Sequence, residues 1–174
     1  KEWGMEQFVR DNRINMIYEG TNTVQSLDLL GRKVLGNQGA TLKKFGKLVG
    51  QLVAEEGVNE KMAEFINPIA MLGEQMTKFT TEIGFKGMQN PDEVGAAAVD
   101  YLRVAGHLVF GYLFARMAQV ALREIAAGNT DPFYGAKLQT ARFYFAKLFP
   151  ETATLMRTAR AGSKVLMDTD LALA

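Results

Sequence analysis

The chain has 174 residues, 48% hydrophobic and 22% charged, which is the composition of a globular protein long enough to bury a core. Its 20 basic and 19 acidic residues give a formal net charge of +1, which offers no support for binding to nucleic acid or for electrostatic binding to a membrane. The absence of cysteine excludes disulfides, thiolate catalysis and zinc–thiolate sites. The longest apolar run, residues 108–115, is too short to cross a bilayer, so we expect no membrane span.

The first segment, residues 1–36, predicts two short helices around an irregular junction. We expect one helix from about Glu2 to Asn12 and another from about Asn22 to Leu35. A helix-like pattern that follows Lys1 at once, without the apolar stretch of a signal peptide, predicts that the chain belongs to a larger protein. The turn-prone run at 36–39, Gly-Asn-Gln-Gly, predicts a boundary before a second domain at 37–174.

The second domain opens with strong helical periodicity. Residues 41–55 carry an apolar stripe at three- and four-residue steps, and Gly57 offers a stop. A second long pattern starts near Asn59 and contains Pro68. Because proline removes an amide donor and clashes with the preceding turn, we expect a kink or a restart near Asn67.

The later helices have clear start signals. Residues 90–93, Asn-Pro-Asp-Glu, combine a capping residue, proline and acids, and predict a long helix to about Ala127, ended by Gly128. Asp131 and Pro132 repeat the signal. Pro150 predicts the start of the last helix, whose expected inner residues are Leu155, Met156, Ala159 and Leu166. The terminal DTDLALA has no further pattern, and we expect it to fray.

The predicted fold is therefore all-α: an antiparallel bundle of four to five helices over about 38–167, with no sustained strand pattern. Many glycines fall inside the predicted helices, where each costs roughly 1 kcal/mol against alanine. We expect them where helices approach closely, or else where a helix end is misplaced. They are Gly46, Gly50, Gly73, Gly84, Gly95, Gly106 and Gly111.

One carboxylate stands at an unusual junction. In INMIYEGTNTVQ, residues 14–25, Glu19 lies between the apolar Ile17 and Tyr18 and a turn that begins at Gly20. Thr21 or Asn22 is expected to cap the next helix, with Gln25 completing a capping box. A carboxylate partly desolvated by apolar neighbours could act as a general base. Local physics also allows an acid that only interacts with the positive end of a helix, and taken alone it favours this second interpretation, because acids near helix starts are common.

A family resemblance favours the first interpretation of Glu19, a general base. Residues 10–35, RDNRINMIYEGTNTVQSLDLLGRKVL, closely resemble the segment around the catalytic glutamate of acyl-CoA dehydrogenases. Residues 100–122, DYLRVAGHLVFGYLFARMAQVAL, and 133–162, FYGAKLQTARFYFAKLFPETATLMRTARAG, are similar to an extra C-terminal helical domain found in large bacterial members, 3-methylmercaptopropionyl-CoA dehydrogenases among them. The resemblance implies that 1–36 is the end of the dehydrogenase helical domain and that 37–174 is an accessory bundle.

The resemblance also implies roles for the residues of the junction. Glu19 would remove the α proton of an acyl-CoA thioester while FAD accepts a hydride from the β carbon, giving a trans-2-enoyl-CoA. Its own backbone amide would help to polarise the thioester carbonyl. Tyr18 would line the acyl pocket and Gly20 would lie near the thioester. Thr21 and Thr23 match positions that contact FAD, and Asn22 lies between them.

The partners implied in the same way are acyl-CoA, an electron-transfer flavoprotein or similar acceptor, and further copies in a homo-oligomer in the bacterial cytoplasm. Most of the family's flavin site is built from parts upstream of this segment. We therefore expect these residues alone not to retain FAD and not to turn over acyl-CoA. The alternative prediction is a helical oligomerisation or docking module without chemistry of its own.

Other chemistry-bearing residues have simpler interpretations. His107, the single histidine, is expected to be hydrogen-bonded within an apolar helix, and one histidine cannot supply a di-iron or zinc bundle, so no metal site is predicted. The arginines Arg116, Arg142 and Arg160 are expected in ion pairs in preference to a CoA phosphate site. The aromatic group Phe133, Tyr134, Phe143, Tyr144, Phe145 and Phe149 is expected in the core or a subunit interface in preference to a pocket.

Overall fold

The computed structural model describes residues 2, 4–18 and 21–168. The predicted site residues Glu19 and Gly20, and the tail at 169–174 for which we predicted fraying, lie outside the described residues. Within the described part the chain forms helices and turns and no strand, which confirms the all-α prediction.

The helices follow one another with short connections. They are α1 (Glu6–Asn12), a 3₁₀ turn (Arg13–Met16), α2 (Asn22–Leu27, continued by a π-helical segment Asp28–Leu35), α3 (Ala40–Glu56), a 3₁₀ turn (Glu60–Met62), α4 (Ala63–Gln89), α5 (Asp92–Ala126), α6 (Pro132–Phe143, continued by a π-helical segment Tyr144–Leu148), α7 (Glu151–Ala159) and α8 (Lys164–Met167).

The predicted starts of α5 and α6 are confirmed in atomic detail. The Asn90 side chain accepts a hydrogen bond from the Asp92 amide at 3.1 Å. The Asp131 side chain accepts one from the Phe133 amide at 2.9 Å. Each bond satisfies an amide that has no partner inside its helix. Gly128 has a φ of +85°, a value that favours glycine, and it follows the end of α5 as predicted.

Helix α5 is the central element. It packs against α4, α6, α7 and the helix formed by α2 and its π-helical segment. Its buried residues are mostly small, as at Ala97, Ala98, Ala115 and Ala118, so neighbouring helices come close on several sides. By length and composition α5 could also cross a membrane, but core helices pass the same test. Its packing inside the bundle accounts for its apolar composition, which therefore does not indicate a membrane span.

Helix α2 and its π-helical segment share this core. Leu30 and Val34 are buried together with residues of α3, α4 and α5. The chain then turns at 36–39, where Gln38 and Gly39 have φ values of 56° and 74°. The turn stands where the domain boundary was predicted, and the division into 1–36 and 37–174 stays a prediction.

Two predicted boundaries of the helices are wrong, and one of the two alternatives predicted for Pro68 is excluded. Helix α1 starts at Glu6 instead of Glu2, because Gly4 has a φ of +66°, which lies outside helical geometry. Helix α4 continues through Pro68 without a restart: the proline lies in its second turn, so one hydrogen bond to the first turn is lost, and the predicted kink stays a prediction. The last helix ends at Ala159, and after Gly162, with a φ of +82°, the short α8 leaves Leu166 63% exposed instead of buried.

The expectation that these glycines lie where helices approach closely is confirmed at Gly111. A Cβ built on Gly111 of α5 would lie 2.8 Å from Phe149 and 2.9 Å from Ile69, so this position does need glycine for close approach. A Cβ on Gly84 would make an ordinary contact of 3.4 Å with Leu35. The other predicted glycines, Gly46, Gly50, Gly73, Gly95 and Gly106, lie within helices and face open space.

Candidate functional site

The helix that follows the Glu19 junction is fixed to the bundle along one side. Ser26, Leu30 and Val34, spaced four residues apart, are buried with exposed fractions of 4% or less. The Ser26 hydroxyl donates to the Thr23 carbonyl at 2.7 Å, which allows a polar side chain to be buried here. The opposite side, with Val24 and Leu27, is exposed. Sequence reasoning missed Ser26 as an anchor, because a serine carries no apolar signal.

The residues just before Glu19 form a tight backbone turn. The amides of Ile17 and Tyr18 both donate to the Ile14 carbonyl, at 2.9 and 3.1 Å. The Thr21 hydroxyl donates to the Tyr18 carbonyl at 3.3 Å. This bond holds Tyr18 and Thr21, the described residues on the two sides of positions 19 and 20, close together.

The predicted capping box is wrong. Thr21 is the residue before α2, but its side chain bonds to Tyr18 and does not cap the helix. The first helical bond runs instead from the Gln25 amide to the Thr21 carbonyl at 2.9 Å. This helix therefore begins with a backbone hydrogen bond and without a side-chain cap. The side chains of Asn22 and Thr23 are exposed and make no hydrogen bond within the described part of the chain.

Large apolar side chains around the junction face solvent. Ile17 is 74% exposed and Tyr18 is 61% exposed. Helix α1, just before the junction, buries none of its residues and leaves Phe8 67% exposed. Soluble proteins rarely leave a cluster of this kind uncovered, and such a cluster typically marks a binding or assembly surface. The residues flanking Glu19 thus provide an apolar surface without a cover among the described residues.

The fit of a flavin can be tested on the same residues. Thr21, Asn22 and Thr23 offer hydroxyl and amide groups on one edge of the junction, and Asn22 and Thr23 have these groups free. A flavin ring also needs walls that exclude water, and exposed residues do not form such walls. The described residues therefore suit one edge of a flavin site and do not build the whole of it.

A second polar cluster links three helices away from this junction. His107 of α5 lies with Nδ1 3.0 Å from the Tyr144 hydroxyl and Nε2 3.1 Å from the Glu151 carboxylate. Arg103 also pairs with Glu151. The Tyr144 ring stacks on Phe114 with centroids 4.4 Å apart, and burial raises the pKa of Tyr144 to about 12. The prediction that His107 is hydrogen-bonded is confirmed. Its partners could not be predicted, because Tyr144 and Glu151 are distant from it in sequence.

The remaining predictions for charged and aromatic residues also have outcomes. The three arginines form ion pairs, as predicted: Arg116 with Glu55 at 3.7 Å, Arg142 with Glu64 at 2.9 Å, and Arg160 with Glu82 at 3.1 Å. Tyr144, Phe145 and Phe149 pack in or against the core, whereas Phe133 and Phe143 are 42% and 56% exposed and lie outside it. Among the described residues no group of acids and His107 could hold a metal ion.

The fold defines a class of protein, an all-α helical bundle. A family model described as "Acetyl-CoA dehydrogenase C-terminal like" matches residues 39–170. The chain belongs to this family, and the predicted resemblance is confirmed.

Curated relatives match nearly the whole chain. The 3-methylmercaptopropionyl-CoA dehydrogenase of Ruegeria pomeroyi is 33% identical over 171 residues, which cover 95% of this chain and 29% of the relative. The broad-specificity linear acyl-CoA dehydrogenase FadE5 of Mycobacterium tuberculosis is 25% identical over 160 residues, covering 86% and 26%. A butyryl-CoA dehydrogenase of Syntrophomonas wolfei is 28% identical over 158 residues, covering 87% and 25%. The chain thus spans less than a third of each of these relatives.

Proposed function

We propose that this chain supplies the catalytic base of an FAD-dependent acyl-CoA dehydrogenase. Glu19 takes the α proton of an acyl-CoA thioester, and the product is a trans-2-enoyl-CoA. The observation that carries the proposal is the continuous match of residues 10–35 to the glutamate segment of these enzymes, in a chain that belongs to one of their families. The names of the relatives support the reaction class, since each is a dehydrogenase of a CoA thioester.

The exposed surface beside Glu19 supports a role that is completed by another part of the protein. A carboxylate in water is a weak base toward a carbon acid, and desolvation by apolar neighbours strengthens it. Ile17 and Tyr18 provide apolar neighbours, but both face solvent. We infer that a further surface covers them in the active assembly and that the acyl chain lies against Tyr18.

In the proposal for the cofactor, these residues likewise supply one part of the site and another part of the protein supplies the rest. FAD, when bound, supplies the acceptor for the hydride that leaves the β carbon. Thr21, Asn22 and Thr23 would hold one edge of it through hydroxyl and amide groups. Because exposed residues do not enclose a ring system, we infer that the 174 residues alone neither retain FAD nor turn over acyl-CoA. Acyl-CoA as substrate, an electron-transfer flavoprotein or similar acceptor, and a homo-oligomer complete the proposal.

Glu19→Gln in the complete polypeptide tests the role of the base. The amide keeps the shape of the side chain but cannot take a proton, and general-base catalysis contributes about 10²–10⁴-fold to rates. We expect anaerobic flavin reduction by acyl-CoA to slow by a factor in that range while acyl-CoA binding changes little. Glu6→Gln is the matched control, because Glu6 lies on the exposed helix α1 and pairs only with Arg10 at 2.5 Å.

Two results would refute the proposal. One is flavin reduction in Glu19→Gln at the rate of the unchanged protein. The other is a complete polypeptide that is purified without flavin and binds none on titration.

A docking module is the second candidate function, and one observation favours it. Helix α5 leaves apolar residues exposed at Val99, Leu113 and Val120, with fractions of 40%, 54% and 48%. Their spacing in multiples of seven places them on one face of the helix, together with Gly106. An apolar stripe along a helix is the usual surface for association with another helix. The two functions are compatible, because a module can belong to an enzyme.

A further inference from the structure

A long groove runs between helices α3 and α4. Its lining extends along α4 from Ala70 to Met88, which at 1.5 Å per residue is about 27 Å. One end is closed by Leu35 and the turn at 36–39. The volume is about 1310 Å³, larger than the roughly 300–1,000 Å³ of ordinary small-molecule pockets.

Small residues on both walls create the space. Gly46 and Gly50 on α3 face the groove, and Gly73 on α4 lies on the other wall. A Cβ added at any of the three would meet no atom within 4 Å. Glycine in a helix interior is costly, and here no close contact between helices explains it. These glycines widen the groove.

Two contacts tie α3 to α5. The Phe45 ring packs edge-on against Tyr112 of α5, with centroids 5.7 Å apart. At the far end of α3, the Gln119 amide donates to Glu56 at 2.6 Å. These contacts help to fix the position of α3 in the bundle, and Leu108 of α5 itself lines the groove.

The walls are apolar, although threonines line them. The hydroxyls of Thr77, Thr80 and Thr81 donate to carbonyls of their own helix at 2.9, 2.7 and 3.1 Å. Each hydroxyl therefore has no proton left to offer a ligand. The larger apolar side chains of the lining include Leu35, Leu42, Val49, Met76, Phe85 and Met88. Such a wall favours a hydrocarbon chain.

The charged side chains of the lining that form no ion pair within the described residues are of one sign. Glu74, the acid in the lining, is paired with Lys78 at 2.6 Å. Lys43 and Lys47, one helical turn apart on α3, also line the groove and form no ion pair within the described residues. The rim thus offers two free ammonium groups beside an apolar channel.

We propose that the α3–α4 groove binds a long-chain fatty acid, with its hydrocarbon chain between α3 and α4 and its carboxylate at Lys43 and Lys47. The shape suits a single extended chain, and the lysines suit an anionic head. The proposal does not rest on the dehydrogenase function, because none of its residues belongs to the Glu19 junction. The groove begins at the Leu35 end of a helix whose other end, about 20 Å away, follows Thr21.

Displacement of a fluorescent long-chain fatty acid by palmitate from the purified 174-residue chain tests the proposal. Gly73→Leu fills the groove, and it should leave the fold intact because the added side chain enters open space. We expect affinity for palmitate to fall at least about tenfold. Gly135→Leu is the matched control: it adds the same side chain at an open position on α6, outside the lining, and should bind palmitate as the parent does.

The head group is tested separately. Joint replacement of Lys43 and Lys47 by glutamine should weaken palmitate about three- to tenfold and leave the uncharged hexadecanol unchanged. Lys44→Gln is the control, since Lys44 lies on α3 outside the lining. An equal loss for both ligands would refute the assignment of the carboxylate.

Palmitate affinity that is absent, or equal in Gly73→Leu and the parent, would overturn the proposal, because binding would then be to another apolar surface such as α1. The groove would be a protein interface instead if Gly73→Leu left palmitate binding unchanged and altered the oligomeric state in light scattering.

Discussion

Two alanine substitutions in helix α5 separate packing from helix propensity. Gly111 and Gly106 lie on the same helix, five residues apart. A Cβ on Gly111 would come within 2.8 Å of Phe149 and 2.9 Å of Ile69, whereas a Cβ on Gly106 meets nothing within 4 Å. The same change from glycine to alanine should therefore have opposite effects on stability at the two positions.

The magnitudes follow from two terms. Alanine stabilises a helix interior by about 1 kcal/mol relative to glycine, and this term is common to both variants. Overpacking a filled core costs about 1–3 kcal/mol. Ile69 and Phe149 are both buried, at 0% and 6% exposure, so neither can retreat into solvent, and we place the cost at about 2–3 kcal/mol. Gly111→Ala should lose about 1–2 kcal/mol of unfolding free energy, and Gly106→Ala should gain about 1 kcal/mol.

Urea unfolding followed by far-ultraviolet circular dichroism measures both variants against the parent. The slopes should agree, since the surface exposed on unfolding hardly changes, so the midpoints report stability directly. The difference between the variants, about 2–3 kcal/mol, isolates the packing cost because the propensity term cancels. A midpoint for Gly111→Ala at or above that for Gly106→Ala would show that the reasoning about close approach is wrong.

Two further predictions concern the start of α5, at Glu93, and the exposed face of the same helix. Hydrogen bonds from the Ser163 hydroxyl and amide lower the pKa of Glu93 below its ordinary value of 4.5, so their stabilisation is complete above that pH and is lost as the pH falls further. Glu93→Gln should therefore lower the melting temperature at about pH 7 and have little effect near pH 3. Asp92→Asn is the control, because the Asp92 carboxylate has no hydrogen-bond partner among the described residues. This variant should not show the same loss at pH 7. If α5 mediates association, Leu113→Asp should reduce the mass found by light scattering and Val58→Asp, at a 95% exposed loop position, should not; equal masses would count against the α5 face.

Local chemistry made parts of the fold predictable. Asn90 and Asp131 bond to amides two residues away, so the signal that marks each helix start is complete within a few residues of sequence. Pro68 shows the limit of such reasoning, because the burial of Phe65 and Ile69 around it depends on helices far away in the chain. Gly111 is another case: the residue that requires it, Phe149, is 38 positions later, and no local pattern records the contact.

Less of the candidate site than of the fold could be predicted from the sequence. The motif around Glu19 identified the family, while the local pattern taken alone favoured a helix-end acid over a catalytic base. The bond from Thr21 to the Tyr18 carbonyl replaced the expected capping box, since a threonine hydroxyl can bond in either direction. The α3–α4 groove had no sequence signal, because it arises from the distance between two helices, which depends on how the whole bundle packs.

The exposed face of α5 and the α3–α4 groove, two apolar surfaces without a partner among the described residues, differ in shape, and shape decides which occupant each can accept. The exposed face of α5 is convex, so it can contact another helix or a flat surface but cannot enclose a small molecule. The groove between α3 and α4 is concave and has walls on both sides, so it can remove a narrow chain from water along its length. Lys43 and Lys47 at the groove form no ion pair within the described residues, whereas Arg116, three residues after Leu113 on α5, is paired with Glu55. Association through α5 and ligand binding in the groove are therefore separable properties, and a substitution at one surface should leave the other unchanged.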